Sequence, residues 1–194
     1  MPLYLKKIVT LCYFLVASLC SYCQDWTDEQ LSSAATAADI NWLTEDEQNA
    51  IMYINLARMY PKDFVRIELE DASELDVKNL SYLNSLKREL NSMLPAGAVN
   101  FDNTAYEYAR CFAKESGQRG IIGHKRKTCP RLSYAECCSY GVRAGWDIAL
   151  QWLIDEGVPD LGHRKNCLGK NFTKIGLSIQ PHKKYAVCAV ADFK

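Results

Sequence analysis

One short stretch of the sequence is the most informative about the fold: Leu161-Gly162-His163-Arg164-Lys165-Asn166-Cys167-Leu168. It directly follows Pro159-Asp160, where the preceding helical pattern breaks. An amphipathic segment ending in acidic residues comes before it, and two strand-like segments come after it, so the stretch lies between elements. A side chain at such a break is readily presented at the edge of a cleft, which makes His163 a candidate functional residue.

Two features upstream belong with this stretch. Gly123-His124 is a second glycine–histidine pair, and it opens a basic loop, residues 125–131, that we interpret as solvated surface. Residues 133–140 alternate in the manner of a strand, with Tyr134, Glu136 and Cys138 on one face. A carboxylate in the middle of a strand is unfavourable unless it has partners, so Glu136 indicates a polar site beside the sheet.

These residues together resemble the CAP superfamily, which includes cysteine-rich secretory, venom-allergen and plant pathogenesis-related proteins and a large bacterial branch. The likeness rests on the Gly-His-Arg-x-Asn run at 162–166, on Gly123-His124 and on Ala135-Glu136. Asn55-x-x-Arg58-x-x-Pro61-x-x-Phe64 is similar to the opening helix of the bacterial branch. The resemblance covers roughly residues 44–193 and implies an α+β fold: a three-layer α-β-α sandwich whose central, mostly antiparallel sheet is flanked by helices.

The resemblance also implies a cleft that contains two histidines and one or two acids. The matching residues are His124, Glu136 and His163. The fourth position is an acid on the helix that follows a tryptophan. Counting from Trp152 places Asp155 there, whereas the packed face of the helix favours Glu156. Both acids end a helix, where they oppose its dipole, and this placement favours a nearby cation.

Three polar residues are expected to support the cleft: Asn55, Arg58 and Asn166. For Asn55 and Arg58 we favour a structural role, in which they tie the helix end to a neighbouring loop, because paired polar groups usually serve packing. Cys137 is a departure from the family, which usually has an asparagine directly after the glutamate. The role of that asparagine is therefore not assigned to this chain.

The N-terminus has the pattern of a secretory signal peptide. Lys6 and Lys7 precede an apolar run, residues 8–19, and cleavage before Gln24 is predicted. The run is shorter than the roughly 20 residues of a membrane span, so no transmembrane segment is predicted in the mature chain. Lipid modification of Cys20 or Cys23 is an alternative, although the residue before each is bulky where a small one is preferred. We expect a secreted protein, extracellular or periplasmic.

The 194 residues divide into a signal peptide at 1–23, a polar leader at 24–43 and one domain at 44–194. The formal net charge is zero at pH 7, which gives no sign of nucleic-acid binding. Thr44 to Glu47 form a capping box that opens a helix ending near Tyr60. Further helices are predicted at 80–94, from 105 to around 117–120 with N-cap candidates at 100–104, and at 146–156. A loop is predicted at 66–79, a short turn after His163, and strands at 175–179 and 185–191 with His182 exposed between them.

The chain has nine cysteines, and six follow the predicted cleavage site: Cys111, Cys129, Cys137, Cys138, Cys167 and Cys188. Export implies an oxidising compartment, so we expect most of the six in disulfides, each adding roughly 2–4 kcal/mol. The pairing stays open because six cysteines allow 15 connectivities. Adjacent Cys137 and Cys138 should face opposite sides of a strand and are not expected to bond to each other. Small buried apolar residues are the alternative role for some of them.

The candidate residues suit metal binding. Two neutral imidazoles and a carboxylate are ligands that zinc and similar divalent ions accept. An open coordination position would let a bound water ionise near neutral pH. The alternative is a hydrogen-bonded cluster of His and Glu that joins strand, loop and helix without a metal.

The sequence favours a secreted binding or interaction module over an enzyme. It needs no cofactor, but its cleft is expected to accept zinc or another divalent metal, or a small apolar ligand. The expected partner is an extracellular or envelope ligand, a lipid or a protein. A metal-assisted hydrolase, peptidase-like or directed at envelope material, is the alternative, but no residue is marked as a nucleophile. Fold alone does not choose between them.

Overall fold

The computed structural model describes residues 25–71, 75–132 and 135–194. Its helices are α1 Asp28–Ala34, α2 Glu45–Met59, α3 Pro61–Glu68, α4 Leu80–Ser92, α5 Asn103–Arg119, α6 Gly145–Ile154 and α7 Gly162–Leu168. Its strands are β1 Asn100–Phe101, β2 Glu136–Tyr140, β3 Lys174–His182 and β4 Ala186–Phe193. The predicted signal peptide and Tyr134 lie outside the described residues. Among the helices of these ranges, none combines the length and the hydrophobicity of a membrane-spanning segment.

The four strands form one mixed sheet in the order β1-β3-β4-β2. β1 runs parallel to β3, and the other two pairings are antiparallel. β4 lies between β3 and β2, which explains why its residues are almost all apolar: a central strand is covered on both faces. The prediction of an α+β protein with a mostly antiparallel sheet and a buried last strand is confirmed.

Helices cover both faces of this sheet. On one face Cys138, Cys188 and Val190 pack with Phe112 of α5. On the other face Cys137, Ala189 and Ala191 belong to the main core, to which α2 and α6 contribute. α5 approaches the sheet so closely that a Cβ on Gly176 would lie 1.8 Å from the backbone nitrogen of Tyr106. The result is the predicted three-layer arrangement of helix, sheet and helix.

Local capping signals place two of the helices as predicted. Thr44 and Glu47 form a reciprocal capping box at the start of α2, with hydrogen bonds of 3.2 and 2.9 Å. Asp102 accepts a hydrogen bond from the backbone of Ala105 at the start of α5, and Gly120 ends that helix in the left-handed conformation. Each cap supplies a partner for backbone groups that a helix end leaves unpaired.

Three segments differ from their sequence-based predictions. The segment predicted as a polar leader contains α1, and Ala34 and Ala37 are buried in the core. Pro61 ends α2 but also begins α3, because proline is well suited to the first position of a helix. The predicted loop at 66–79 is wrong for its first residues, which belong to α3. The predicted turn after His163 is wrong as well, because α7 occupies that place.

His182 was predicted to be exposed, and this is wrong. β3 continues through His182, and the residue is only 4% exposed. Its Nε2 lies 2.9 Å from the carbonyl oxygen of Ile121, and its Nδ1 accepts hydrogen bonds from the backbone of Lys184 and Tyr185. The imidazole therefore organises the β3–β4 turn.

The described residues contain one disulfide, between Cys111 and Cys129. Cys137, Cys138, Cys167 and Cys188 are free and buried. The prediction that most of the six cysteines are bonded is therefore wrong, and the four free thiols serve as small core residues. Cys137 and Cys138 do lie on opposite faces of β2, as predicted.

Candidate functional site

The first part of the site is a histidine held by a buried carboxylate. His124 Nδ1 lies 2.7 Å from Oε1 of Glu136, the first residue of β2. The His124 side chain is 47% exposed, whereas that of Glu136 is fully buried. Gly123, at a φ of 78°, allows the loop to turn there, and its carbonyl oxygen accepts a hydrogen bond from the Tyr140 hydroxyl. The buried carboxylate of Glu136 therefore orients an imidazole that is about half exposed to solvent.

Two arginines share the same carboxylate. Arg126 Nη2 contacts Glu136 Oε2, and Arg131 Nη1 lies 3.8 Å from Oε1. The Arg126 side chain is only 7% exposed, and its guanidinium lies over the Phe112 ring at 4.3 Å. The prediction that residues 125–131 are solvated surface is therefore wrong for Arg126. Burial of a carboxylate requires such partners, and the loop supplies them.

Cys138 completes a group of three side chains with metal-ligating atoms. Its Sγ lies 3.7 Å from His124 Nδ1, and the ligand atoms of His124, Glu136 and Cys138 all lie within 4.8 Å of one another. Burial raises the pKa of the Cys138 thiol to about 12. Burial, together with Arg131 and Arg126, lowers the pKa of His124 below its usual 6.5. At neutral pH the imidazole of His124 and the thiol of Cys138 are therefore both uncharged.

Asp192 belongs to the same region and was not among the predicted site residues. It lies directly opposite Glu136 in the pairing of β2 with β4, and its Oδ2 is 3.6 Å from Arg126 Nη2. Burial raises the pKa of Asp192 to about 6, although the neighbouring cations lower it. A signal for it existed in the sequence, because a lone carboxylate in an apolar strand needs partners as much as Glu136 does.

The second histidine has its own carboxylate. His163 Nδ1 lies 2.7 Å from Asp155 Oδ1, and Asp155 Oδ2 accepts hydrogen bonds from the backbone of His163 and Arg164. Asp155 ends α6 in the left-handed conformation, with a φ of 58°. The His163 side chain is 21% exposed. Each histidine thus uses Nδ1 to contact an acid, a pattern that orients histidines in metal and catalytic sites.

The two pairs approach β2 from different faces of the sheet. α7 lies against the start of β2, where Asn166 Nδ2 donates to the Glu136 carbonyl oxygen at 3.3 Å and the Cys137 thiol contacts the His163 carbonyl oxygen at 3.7 Å. The Glu136 side chain, however, points toward the face covered by α5. The compact ligand group includes His124 but not His163. A cleft shared by both histidines therefore stays a prediction.

Comparison with known proteins adds the family. A sequence model of the cysteine-rich secretory protein (CAP) family matches residues 51–193. The chain belongs to the CAP family. Among solved structures it is similar to an outer surface protein from Borrelia burgdorferi, with 17% sequence identity and a TM-score of 0.41, over 59% of this chain and 88% of that one. No curated protein matches the chain significantly.

The remaining predicted site residues hold this CAP domain together. Glu156 accepts hydrogen bonds from the backbone of Lys78 and Asn79, at 3.1 and 2.6 Å, and so fixes the entry into α4. Asn55 bonds both the N–H and the carbonyl of Val99, at 2.8 and 3.0 Å. Arg58 donates to four backbone carbonyl oxygens, those of Gly97, Cys167, Gly169 and Phe172.

Two cavities lie elsewhere on the CAP domain. One of about 650 Å³ lies beside α6 and is lined by Trp146, Leu150 and Ile154 together with polar residues such as Arg143 and Gln151. Another, of about 350 Å³, lies between residues 59–63 and 91–95. The described residues lining these two cavities do not include His124 or His163. A ligand bound in either cavity would therefore not contact either histidine directly.

Proposed function

We propose that this protein is a secreted CAP-domain binding module whose group of His124, Glu136 and Cys138 binds a divalent metal ion, zinc in particular. The observation that supports this most directly is the proximity of three ligand atoms within 4.8 Å. An imidazole, a carboxylate and a thiolate are all zinc ligands. The exposed edge of His124 provides a path of entry from solvent.

Binding at this group has a defined dependence on pH. The Cys138 thiol must lose its proton to become a ligand, and its raised pKa makes this unfavourable in the metal-free protein. Zinc binding should therefore release a proton and strengthen as the pH rises. His124 presents no such barrier, because its lowered pKa keeps the imidazole neutral at pH 7.

Export is part of the proposal. The N-terminal pattern of Lys6, Lys7 and an apolar run supports it, and so does the Cys111–Cys129 disulfide, because such bridges form in oxidising compartments. The partner would then be an extracellular or envelope ligand. The cavity beside α6, with Trp146 and Leu150 in its wall, supports a further capacity to bind a small ligand with an apolar face.

One alternative is supported by the contacts of Glu136. His124, Arg126 and Arg131 already surround its carboxylate, so the cluster neutralises its own charge without a metal. In that case the network serves to hold the loop of residues 124–131 on the sheet. A thiolate-dependent hydrolase is disfavoured, because burial raises the pKa of Cys137 and Cys138 and thereby removes their nucleophilic form.

Calorimetric titration of zinc into the purified exported protein separates these possibilities. His124→Ala and Cys138→Ser should each weaken binding by at least about tenfold. Cys188→Ser is the matched control, because it removes a buried thiol from the same face of the sheet but outside the group. His163→Ala should leave the affinity unchanged if the three-residue group acts alone, and should weaken it if the two histidines share one cleft. Equal heats in the wild type and in a His124→Ala, Cys138→Ser double variant would show that zinc does not bind at this group. The network of ion pairs around Glu136 would then have a purely structural role.

A further inference from the structure

The region behind His124 contains two buried carboxylates that face each other across neighbouring strands. Glu136 and Asp192 are register partners in the β2–β4 pairing, and both side chains are fully buried. Register partners project to the same face of the sheet, about 4.5–5.5 Å apart at Cβ, and like charges there repel. Such a pair is stable only if a cation lies between or beside its members.

In the metal-free protein that cation is Arg126. Its Nη2 contacts Glu136 Oε2 and lies 3.6 Å from Asp192 Oδ2, so a single nitrogen atom reaches both carboxylates. The fit to Asp192 is poor, because 3.6 Å is too long for a hydrogen bond. Within the described part of the chain, both Asp192 oxygens and the Nε and Nη1 atoms of Arg126 are buried without a hydrogen-bond partner. Buried polar atoms in this condition are uncommon, and a bound ion is one of the arrangements that would supply their partners.

We propose that Asp192 is a fourth protein ligand of the metal group and that Arg126 occupies the cation's place in the metal-free protein. This rests on the proposed function. An ion at the position of Arg126 Nη2 would lie beside Glu136 Oε2 and 3.6 Å from Asp192 Oδ2, with His124 and Cys138 at the same end of the sheet. Asp192 must therefore move closer to the ion to become a ligand. Four protein ligands, with one nitrogen, one sulfur and two oxygens, would complete the coordination number of four that zinc has in structural sites.

Charge balance is consistent with an exchange between the two cations. Without metal, the charges of Glu136 and Asp192 are matched by Arg126 and Arg131, and Cys138 is a neutral thiol. With zinc bound, the two carboxylates and a Cys138 thiolate are matched by the ion together with Arg131, and the Arg126 guanidinium leaves. Both states are locally neutral, so the exchange leaves no uncompensated charge in the sheet.

The proposal predicts effects of opposite sign at the two residues. Asp192→Asn should weaken zinc binding by about tenfold or more, because it removes a charged ligand at almost constant shape. Arg126→Gln should strengthen binding by about tenfold or more, because it removes the competing charge. Arg126→Lys keeps that charge and should bind zinc like the wild type. Lys125→Gln, which removes an exposed charge from the neighbouring position, is the control for general electrostatics.

Zinc affinities of these variants and the wild type are measured by calorimetry at one pH and ionic strength, with thermal melting to verify that each variant is folded. An Asp192→Asn protein that binds zinc like the wild type overturns the proposal, as does a folded Arg126→Gln protein that binds it no more tightly. If Arg126→Gln does not fold, Asp192→Asn decides the outcome alone. A wild type that does not bind zinc would instead end the proposed function, so the two failures are distinguishable.

Discussion

Asp155 and His163 are joined twice: the Asp155 carboxylate lies 2.7 Å from His163 Nδ1 and accepts a hydrogen bond from the His163 backbone N–H at 2.9 Å. The same carboxylate accepts the N–H of Arg164 at 3.1 Å. These N–H groups belong to the first turn of α7, whose own N-cap residue, Leu161, makes no side-chain cap. Asp155 opposes the dipole of α6, which it ends, but favours that of α7, which it caps.

We expect Asp155→Asn to destabilise the protein by about 1–3 kcal/mol, because it weakens a buried carboxylate's bonds to two backbone amides and an imidazole. Asparagine tolerates the left-handed conformation of residue 155, so the change isolates the charge from the backbone. Urea unfolding measures the free energy of unfolding. Asp160→Asn, an exposed acid in the next loop, is the control. Equal stability of the two variants would show that Asp155 does not fix α7.

Glu115 should make stability depend on pH in the acid range. Burial alone would raise its pKa, but hydrogen bonds from the backbone of Thr128, Cys129 and Lys127 and from the Thr128 hydroxyl lower it to about 2. Since the pKa is lower in the folded state than its usual 4.5, the stabilisation is present above pH 4.5 and is lost as the pH falls toward 2.

The test compares wild type and Glu115→Gln by urea unfolding across this range. The variant should be less stable at pH 7, and the difference should shrink steadily as the pH falls from about 4.5 to about 2. Glu107→Gln removes one partner of an exposed ion pair with Arg110 and should have little effect at any pH. A stability difference that is constant with pH would show that the Glu115 charge is not what holds residues 127–129.

Arg58 should not be replaceable by lysine. Its planar guanidinium donates to four backbone carbonyl oxygens from three nitrogen atoms, and a lysine ammonium lacks that geometry. We expect Arg58→Lys to lower the free energy of unfolding by at least about 2 kcal/mol, because buried carbonyl groups lose their partners. Arg110→Lys, at an exposed ion pair, provides the comparison in the same unfolding experiment. A similar small loss in both would argue against Arg58 as the link between α2 and the loop after α7.

Thiol titration should find four free cysteines in the exported protein, if cleavage occurs before Gln24. In denaturant without reductant, Cys137, Cys138, Cys167 and Cys188 should react, and Cys111 and Cys129 should not. In the folded protein reaction should be slow, because the four thiols are buried and burial raises the pKa of Cys138 to about 12 and that of Cys188 to about 11. Two free thiols or fewer in denaturant would restore the disulfide-rich interpretation of the sequence.

Elements whose signals are local could be predicted from the sequence alone. Thr44 and Glu47 mark the start of α2, and Gly120 marks the end of α5, because caps act within a few residues. The apolar run of β4 indicated a central strand, because such a strand is covered on both faces. The sequence also predicted that His124 and Glu136 belong to one polar site, through the family resemblance and because a carboxylate in a strand needs partners.

Contacts between distant groups, by contrast, could not be predicted before the packing of the elements was known. The sequence indicated that Glu136 needs partners. It did not indicate that the buried Arg126 is one of them, or that Asp192 lies directly opposite Glu136 on the neighbouring strand. The burial of His182 and of the four free thiols likewise depends on the packing of the helices and strands around them, which the sequence does not show. Burial and strand register are properties of pairs of segments, whereas composition and spacing describe one segment at a time.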